Sequence, residues 1–175
     1  MRQLRMNKLI ALLAAVMSLT AYVSAQNFQH SCYNYYLDNG VADGTNELYL
    51  EGFCSGGADE EGKERTRICT RLKLDDCYKN VNGILKAWEA GEEPSDNLSS
   101  TCEIDSCAFM KDAWDGPLMT CLCRNDNGHF VDTTINLNSE IGNVGGILQC
   151  GDQYGSPTCP EWGPDSITFL PEEDL

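Results

Sequence analysis

Between Asn46 and Phe53 the chain reads NELYLEGF, with Leu48 and Leu50 alternating with other residues. The stretch FVDTTINL, Phe130–Leu137, carries Val131, Thr133, Ile135 and Leu137 at every second position. A period of two brings such residues to one face of an extended strand. NDNG at Asn125–Gly128 supplies an Asn-Gly turn, so LMTCLCR and HFVDTTINL are predicted to pair as a hairpin. Two further segments, DDCYKNVNG and NSEIGNVGG, are short and polar. Each is expected to form one helical turn, closed by Gly83 or Gly146 where a positive φ is cheap. No stretch has the length and 3.6-residue period of a long helix, so the predicted class is mainly β.

The pattern repeats. LKLDDCYKNVNGILK, Leu72–Lys86, returns as INLNSEIGNVGGILQ, Ile135–Gln149, with Leu74, Asn80, Val81, Gly83, Ile84 and Leu85 matched 63 residues later. Upstream, NFQHSC ending at Cys32 is echoed by NLSSTC ending at Cys102, and a second cysteine follows each, Cys54 and Cys123. The chain thus divides into two repeats, about 26–91 and 92–151. The first is longer by a polar, Gly-rich stretch, GGADEEGKE, that reads as a loop. Residues 152–175 match neither repeat, are rich in proline and acid, and are expected to form an irregular extension.

Before the repeats, Arg2, Arg5 and Lys8 precede a 15-residue apolar run, Leu9–Val23, and small residues at Val23 and Ala25. This describes a secretory leader, residues 1–25, cleaved before Gln26; the run falls short of the about 20 residues of a membrane span. All ten cysteines follow it, and in a small secreted chain an even cysteine count implies a disulfide framework rather than zinc. No metal site and no cofactor is expected; RNDNGHF lacks the ligand spacing and closing Glu of a calcium loop. The leader holds three of the twelve basic residues and no acid, so the remainder carries nine against 27, a net charge of −18. Such a surface repels nucleic acid and anionic lipid. His30 and His129, the only histidines, sit in no catalytic motif, and no nucleophile or metal motif suggests an enzyme.

These pieces, FQHSCYN, the L-x-L-x5-NV-x-G-x-LK stretch of Leu72–Lys86, and the INL-x5-NV-x-G-x-L stretch that follows Cys123, resemble the cyanovirin-N homology family over about Asn27–Cys150. The resemblance implies a pseudo-twofold β fold in which two repeats exchange strands, built of triple-stranded sheets and hairpins. It further implies a secreted, non-catalytic lectin for mannose-containing glycans, oligomannose or α1,2-linked mannose, as a monomer or a strand-swapped dimer. The disulfides Cys32–Cys54 and Cys102–Cys123 come with it. Cys107–Cys121 would nest inside the latter, and Cys69–Cys77 and Cys150–Cys159 are close in sequence.

By position, the family's site on the second pseudo-domain falls on Lys79, Asn80 and Asn82, on Asp96, Asn97, Ser100 and Thr101, and on Arg124, Asn125 and Asp126. Short polar side chains of this kind suit sugar hydroxyls; ordinary turn chemistry is the alternative for the asparagines. The site on the first falls on Asn27, His30, Ser31, Ser55, Gly57, Asn143, Val144 and Gly145. There Gly145 and Ser55 stand where the family commonly has acids, so this site is expected to be weakened. Asn97-Leu98-Ser99 is the one glycosylation sequon. The competing reading is a secreted interaction protein on the same scaffold with no working sugar site.

Overall fold

The computed structural model describes residues 27–41, 44–57, 67–89, 92, 97–111, 114 and 116–159. The leader, the end of the acidic extension, the insertion at 58–66 and Asp96 lie outside the described residues.

Strands β1 (Cys32–Asp38), β2 (Tyr49–Ser55) and β3 (Arg67–Lys73) form an antiparallel sheet in that order. A 3-10 turn, Leu74–Asp76, leads into the hairpin β4 (Tyr78–Val81) and β5 (Ile84–Ala87). A one-turn helix, α1 (Leu98–Thr101), opens the second repeat. There β6 (Cys102–Met110), β7 (Leu118–Arg124) and β8 (Phe130–Asn136) reproduce the first sheet. A second 3-10 turn, Leu137–Ser139, is followed by the hairpin β9 (Ile141–Val144) and β10 (Ile147–Cys150). The β7–β8 hairpin is as the Asn-Gly signal predicts, with the Asn125 N–H donating to the His129 carbonyl at 2.9 Å.

The NVNG and NVGG segments are a correction. Both are β-hairpin turns, and the helical turn sits one step earlier, at Leu74–Asp76 and Leu137–Ser139. Asn82 and Gly83 have φ of 54° and 83°, and Gly145 and Gly146 have 63° and 95°. Two successive positive φ values are what a type I′ hairpin turn requires, and Asn-Gly is its preferred sequence. That preference outweighs the helix-closing role glycine would otherwise have.

The repeats exchange these hairpins. β4–β5 packs on β8 of the second repeat, and β9–β10 packs on β3 of the first. Each junction is sealed by the same two side chains 63 residues apart. The Leu85 N–H donates to Thr133 Oγ1 at 2.9 Å, and the Leu148 N–H donates to Thr70 Oγ1 at 3.1 Å. Asn80 Nδ2 reaches the Arg124 carbonyl at 2.7 Å, and Asn143 Nδ2 the Ser55 carbonyl at 2.8 Å. The apolar positions of both repeats merge into one core, in which Phe28, Leu50, Leu74, Tyr78, Leu98, Met119, Leu137, Ile141 and Leu148 are fully buried. Because the hairpin of each repeat packs against the other's sheet, neither repeat buries its apolar face alone.

Five disulfides are formed. Cys32–Cys54, Cys102–Cys123 and Cys107–Cys121 match the sequence expectation. The other two do not: Cys69 pairs with Cys159, and Cys77 with Cys150, in place of Cys69–Cys77 and Cys150–Cys159. The reason is strand geometry. Cys69 lies within β3, which stays extended to Lys73, and at about 3.3 Å per residue the chain carries Cys77 well beyond bridging distance. The exchanged hairpin instead brings Cys150 to Cys77, with Cα atoms 5.7 Å apart. The extension is also less irregular than expected. Gln153–Tyr154 forms β11 on β10, the Gly155 N–H donates to the Leu148 carbonyl, and Ser156 exchanges two backbone hydrogen bonds with Arg71 of β3 before Cys159 closes the segment down.

Candidate functional site

The tip of the β4–β5 hairpin lies against the β7–β8 turn, and α1 packs beside both β4 and β7. Gly83 permits the approach: besides its positive φ, a Cβ there would overlap Val131. The structure therefore gathers Lys79, Asn80, Asn82, Asn97, Ser100, Thr101, Arg124, Asn125 and Asp126 into one region, linked by short contacts. Lys79 and Asn97 form an isolated antiparallel bridge. Asn82 Oδ1 accepts from the Asp126 N–H at 2.9 Å.

Within this group the roles divide by what each polar atom already does. Asn80 is 6% exposed and both ends of its amide are occupied, Nδ2 by the Arg124 carbonyl and Oδ1 by the Gly83 N–H, each at 2.7 Å. It joins the two turns. Asn125 Oδ1 accepts from the N–H groups of Asn127 and His129, both at 3.0 Å, and so shapes its own turn. Lys79 is engaged by the Glu92 carboxylate, and its ammonium lies 4.9 Å from the Trp88 ring centroid. Lys79 and then the Glu89 N–H hold the Glu92 carboxyl below the usual glutamate range. Ser100 Oγ and Thr101 Oγ1 both donate to the Asn97 carbonyl at 2.9 Å, which leaves their oxygen lone pairs as acceptors.

Asn82, Asp126, Arg124 and the acceptor side of Ser100 remain available at the surface, all exposed. The Arg124 guanidinium lies 5.0 Å from the ring centroid of Phe130, its cross-strand partner, a contact absent from the sequence reading. The sequon at Asn97 is largely folded in. Leu98 is fully buried, and the Asn97 side-chain oxygen and the Ser99 hydroxyl are buried without a hydrogen bond among the described residues.

At the other end of the molecule the hairpin turn Val144–Gly145 takes the place of Val81–Asn82. Asn143 is again a joint: Nδ2 donates to the Ser55 carbonyl and Oδ1 accepts the Gly146 N–H, both at 2.8 Å. The Ser55 N–H donates to the Ser31 carbonyl at 2.8 Å, and Ser55 Oγ accepts from the Gly57 N–H at 3.2 Å. Asn27 and His30 are exposed on the 3-10 turn ahead of β1, and Ser31 Oγ donates to the Phe28 carbonyl. Gly145, exposed with a φ of 63°, offers no side chain where Asn82 stands in the second half. The insertion that borders this end lies outside the described residues.

Two partners of these groups carried no usable signal in the sequence. Glu92 and Trp88 reach Lys79 from the connection between repeats, which has no counterpart to compare with. Thr70 and Thr133 did carry one, since they too fall 63 residues apart.

Comparison with known proteins agrees with this fold. Among solved structures, microvirin in complex with mannobiose superposes with a TM-score of 0.51 at 25% identity, covering 72% of this chain and 99% of its own. A Gibberella zeae homologue, GzCVNH, gives 0.52 at 22% identity, covering 71% and 96%. A variant of MoCVNH3 solved in complex with (N-GlcNAc)4 gives 0.51 at 15% identity, covering 73% and 99%. No curated protein matches the chain in sequence. The CVNH domain matches residues 28–149, and the chain belongs to that family, the cyanovirin-N homology proteins.

Proposed function

We propose that this protein is a secreted, non-catalytic lectin that binds mannose-type oligosaccharides at the second pseudo-domain. The observation that carries the reading is the meeting of the Asn82 turn with the Arg124–Asp126 turn, which leaves an amide, a guanidinium and a carboxylate exposed on a rigid joint. A neutral sugar presents hydroxyls that both donate and accept, and such a mixed set of donors and acceptors complements them. The mannobiose complex of microvirin supports mannose as the sugar. The leader sequence and the five disulfides support secretion. At the first pseudo-domain Gly145 leaves the equivalent turn bare, so one working site is expected.

Calorimetric titration of the mature protein with α1,2-mannobiose tests this, with an N-acetylglucosamine tetramer as the comparison. Saturable heat for mannobiose with a stoichiometry near one, lost in Asp126→Ala and Arg124→Ala, is the expected result. A flat titration with both sugars from protein whose five bridges are intact would defeat the lectin reading and favour a protein-binding scaffold.

A further inference from the structure

A cleft of about 370 Å3 opens where β1 of the first repeat passes β6 of the second. It shares no residue with either region described above. Both strands buckle there, with register shifts between Tyr33 and Tyr36 in β1 and between Glu103 and Ala108 in β6. Its volume sits near the lower end of the roughly 300–1,000 Å3 of small-molecule pockets. Leu48 and Ile104, both buried, give it an apolar floor; Tyr36, Asp38, Asn39 and Asp105 give it a polar rim.

That rim is fixed before any ligand arrives. Asp38 Oδ2 is ion-paired with Arg71 at 2.6 Å, and Asp38 Oδ1 accepts the Gly40 N–H at 3.1 Å. The Tyr36 hydroxyl donates to Glu51 at 2.7 Å. Asn39 Nδ2 donates to Asp105 Oδ1 at 3.0 Å, across the two repeats, while Asn39 Oδ1 accepts the Val41 N–H. Groups held in this way lose little freedom on binding, which lowers the cost of association.

The charge selects the ligand class. Carboxylates on both strands repel anions. A metal ion is poorly served, because Arg71 already neutralises Asp38 and no cluster of three or more ligating side chains exists among the described residues. Fixed acceptors around a floor whose apolar residues are almost wholly buried fit an uncharged ligand that presents hydroxyl donors at its edge. We infer that this cleft is an additional binding site for a neutral hexose unit, with Asp105 as its principal hydroxyl acceptor and the two repeats as its walls. The site is distinct from the sugar-binding region proposed around Asn82, Arg124 and Asp126.

Amide chemical shifts of the oxidised protein titrated with methyl α-D-mannopyranoside test it. The expected result is saturable shifts at Asn39, Gly40, Val41 and Asp105, weakened at least fivefold in Asp105→Ala and unchanged in Asp126→Ala. Asp105 is exposed, and unaltered shifts elsewhere in the variant's spectrum certify its fold. Absence of shifts at these amides up to saturation of the solvent with sugar, or equal shifts in Asp105→Ala, would overturn the assignment. Shifts confined to Asn82, Arg124 and Asp126 would overturn it while leaving the proposed lectin function standing; shifts confined to the cleft would support it and overturn the placement of sugar binding at the second pseudo-domain.

Discussion

Asn80→Ala removes the side chain that joins the exchanged hairpin to the second repeat. Two hydrogen bonds go, to the Arg124 carbonyl and from the Gly83 N–H. The two losses are unequal. Arg124 is exposed, so its carbonyl recovers a water, and that bond costs about 1 kcal/mol. Gly83 is buried beneath Val131 and Asn125, so its N–H is left without a partner at about 1–3 kcal/mol. The sum is about 2–4 kcal/mol. Asn143→Ala deletes the matching pair of bonds, but both are only partly buried, and its hairpin is also held by Cys77–Cys150 and by the extension. Its loss is expected to be about 1 kcal/mol. Urea unfolding of the oxidised variants, with unchanged slope, reads both directly; at a slope of about 2 kcal/mol per molar the Asn80→Ala midpoint falls by about 1–2 M. Amide exchange adds a local readout, since the Leu85 N–H bonded to Thr133 should exchange faster in Asn80→Ala. A shift below about 0.5 kcal/mol, or a larger loss in Asn143→Ala, would refute the claim that the second junction depends on this asparagine.

Arg71→Met is expected to destabilise by about 3–5 kcal/mol, because Glu51, with no exposed side-chain surface, loses its 2.8 Å ion pair and Asp38 loses its own; thermal unfolding measures it, and a loss under 1 kcal/mol would contradict it. The carboxyl carbon of Glu92 should titrate below the usual glutamate range in the intact protein and rise toward it in Lys79→Met, where the Glu89 N–H still lowers it. The sign follows: a lowered folded value means that this pair's small contribution is present above the ordinary glutamate value and is lost as pH falls through the lowered one. With Leu98 and the Ser99 hydroxyl buried, the protein expressed through a secretory pathway should carry no glycan on Asn97, so treatment with a peptide N-glycosidase should leave its intact mass unchanged.

Much of the fold is legible in residues 72–86 and 135–149, because a repeat with its own cysteine pair fixes both the element order and the pseudo-twofold relation. The turn at Asn82-Gly83 was legible too, yet its glycine also satisfies a helix cap, and only the partner strand Ile84–Ala87 decides between them. The pairing of Cys69, Cys77, Cys150 and Cys159 was not legible. It depends on which hairpin lies across which sheet, and that is a property of three-dimensional exchange rather than of spacing. For the candidate region, position in the repeat locates the residues but not the state of their atoms. Asn80 and Asn82 look alike in sequence, and burial alone separates the joint from the exposed amide.

The two bridges that departed from expectation alter what the backbone itself must do. Cys77 and Cys69 precede the connection between the repeats, and Cys150 and Cys159 follow it. The oxidised molecule is therefore a covalent ring that the peptide chain closes only once. A protease that nicked the connection near Glu92 would leave two fragments still joined by two sulfur–sulfur bonds, with each hairpin packed on the other's sheet. Once oxidised, the continuity of this molecule rests on its cysteines as much as on its peptide bonds.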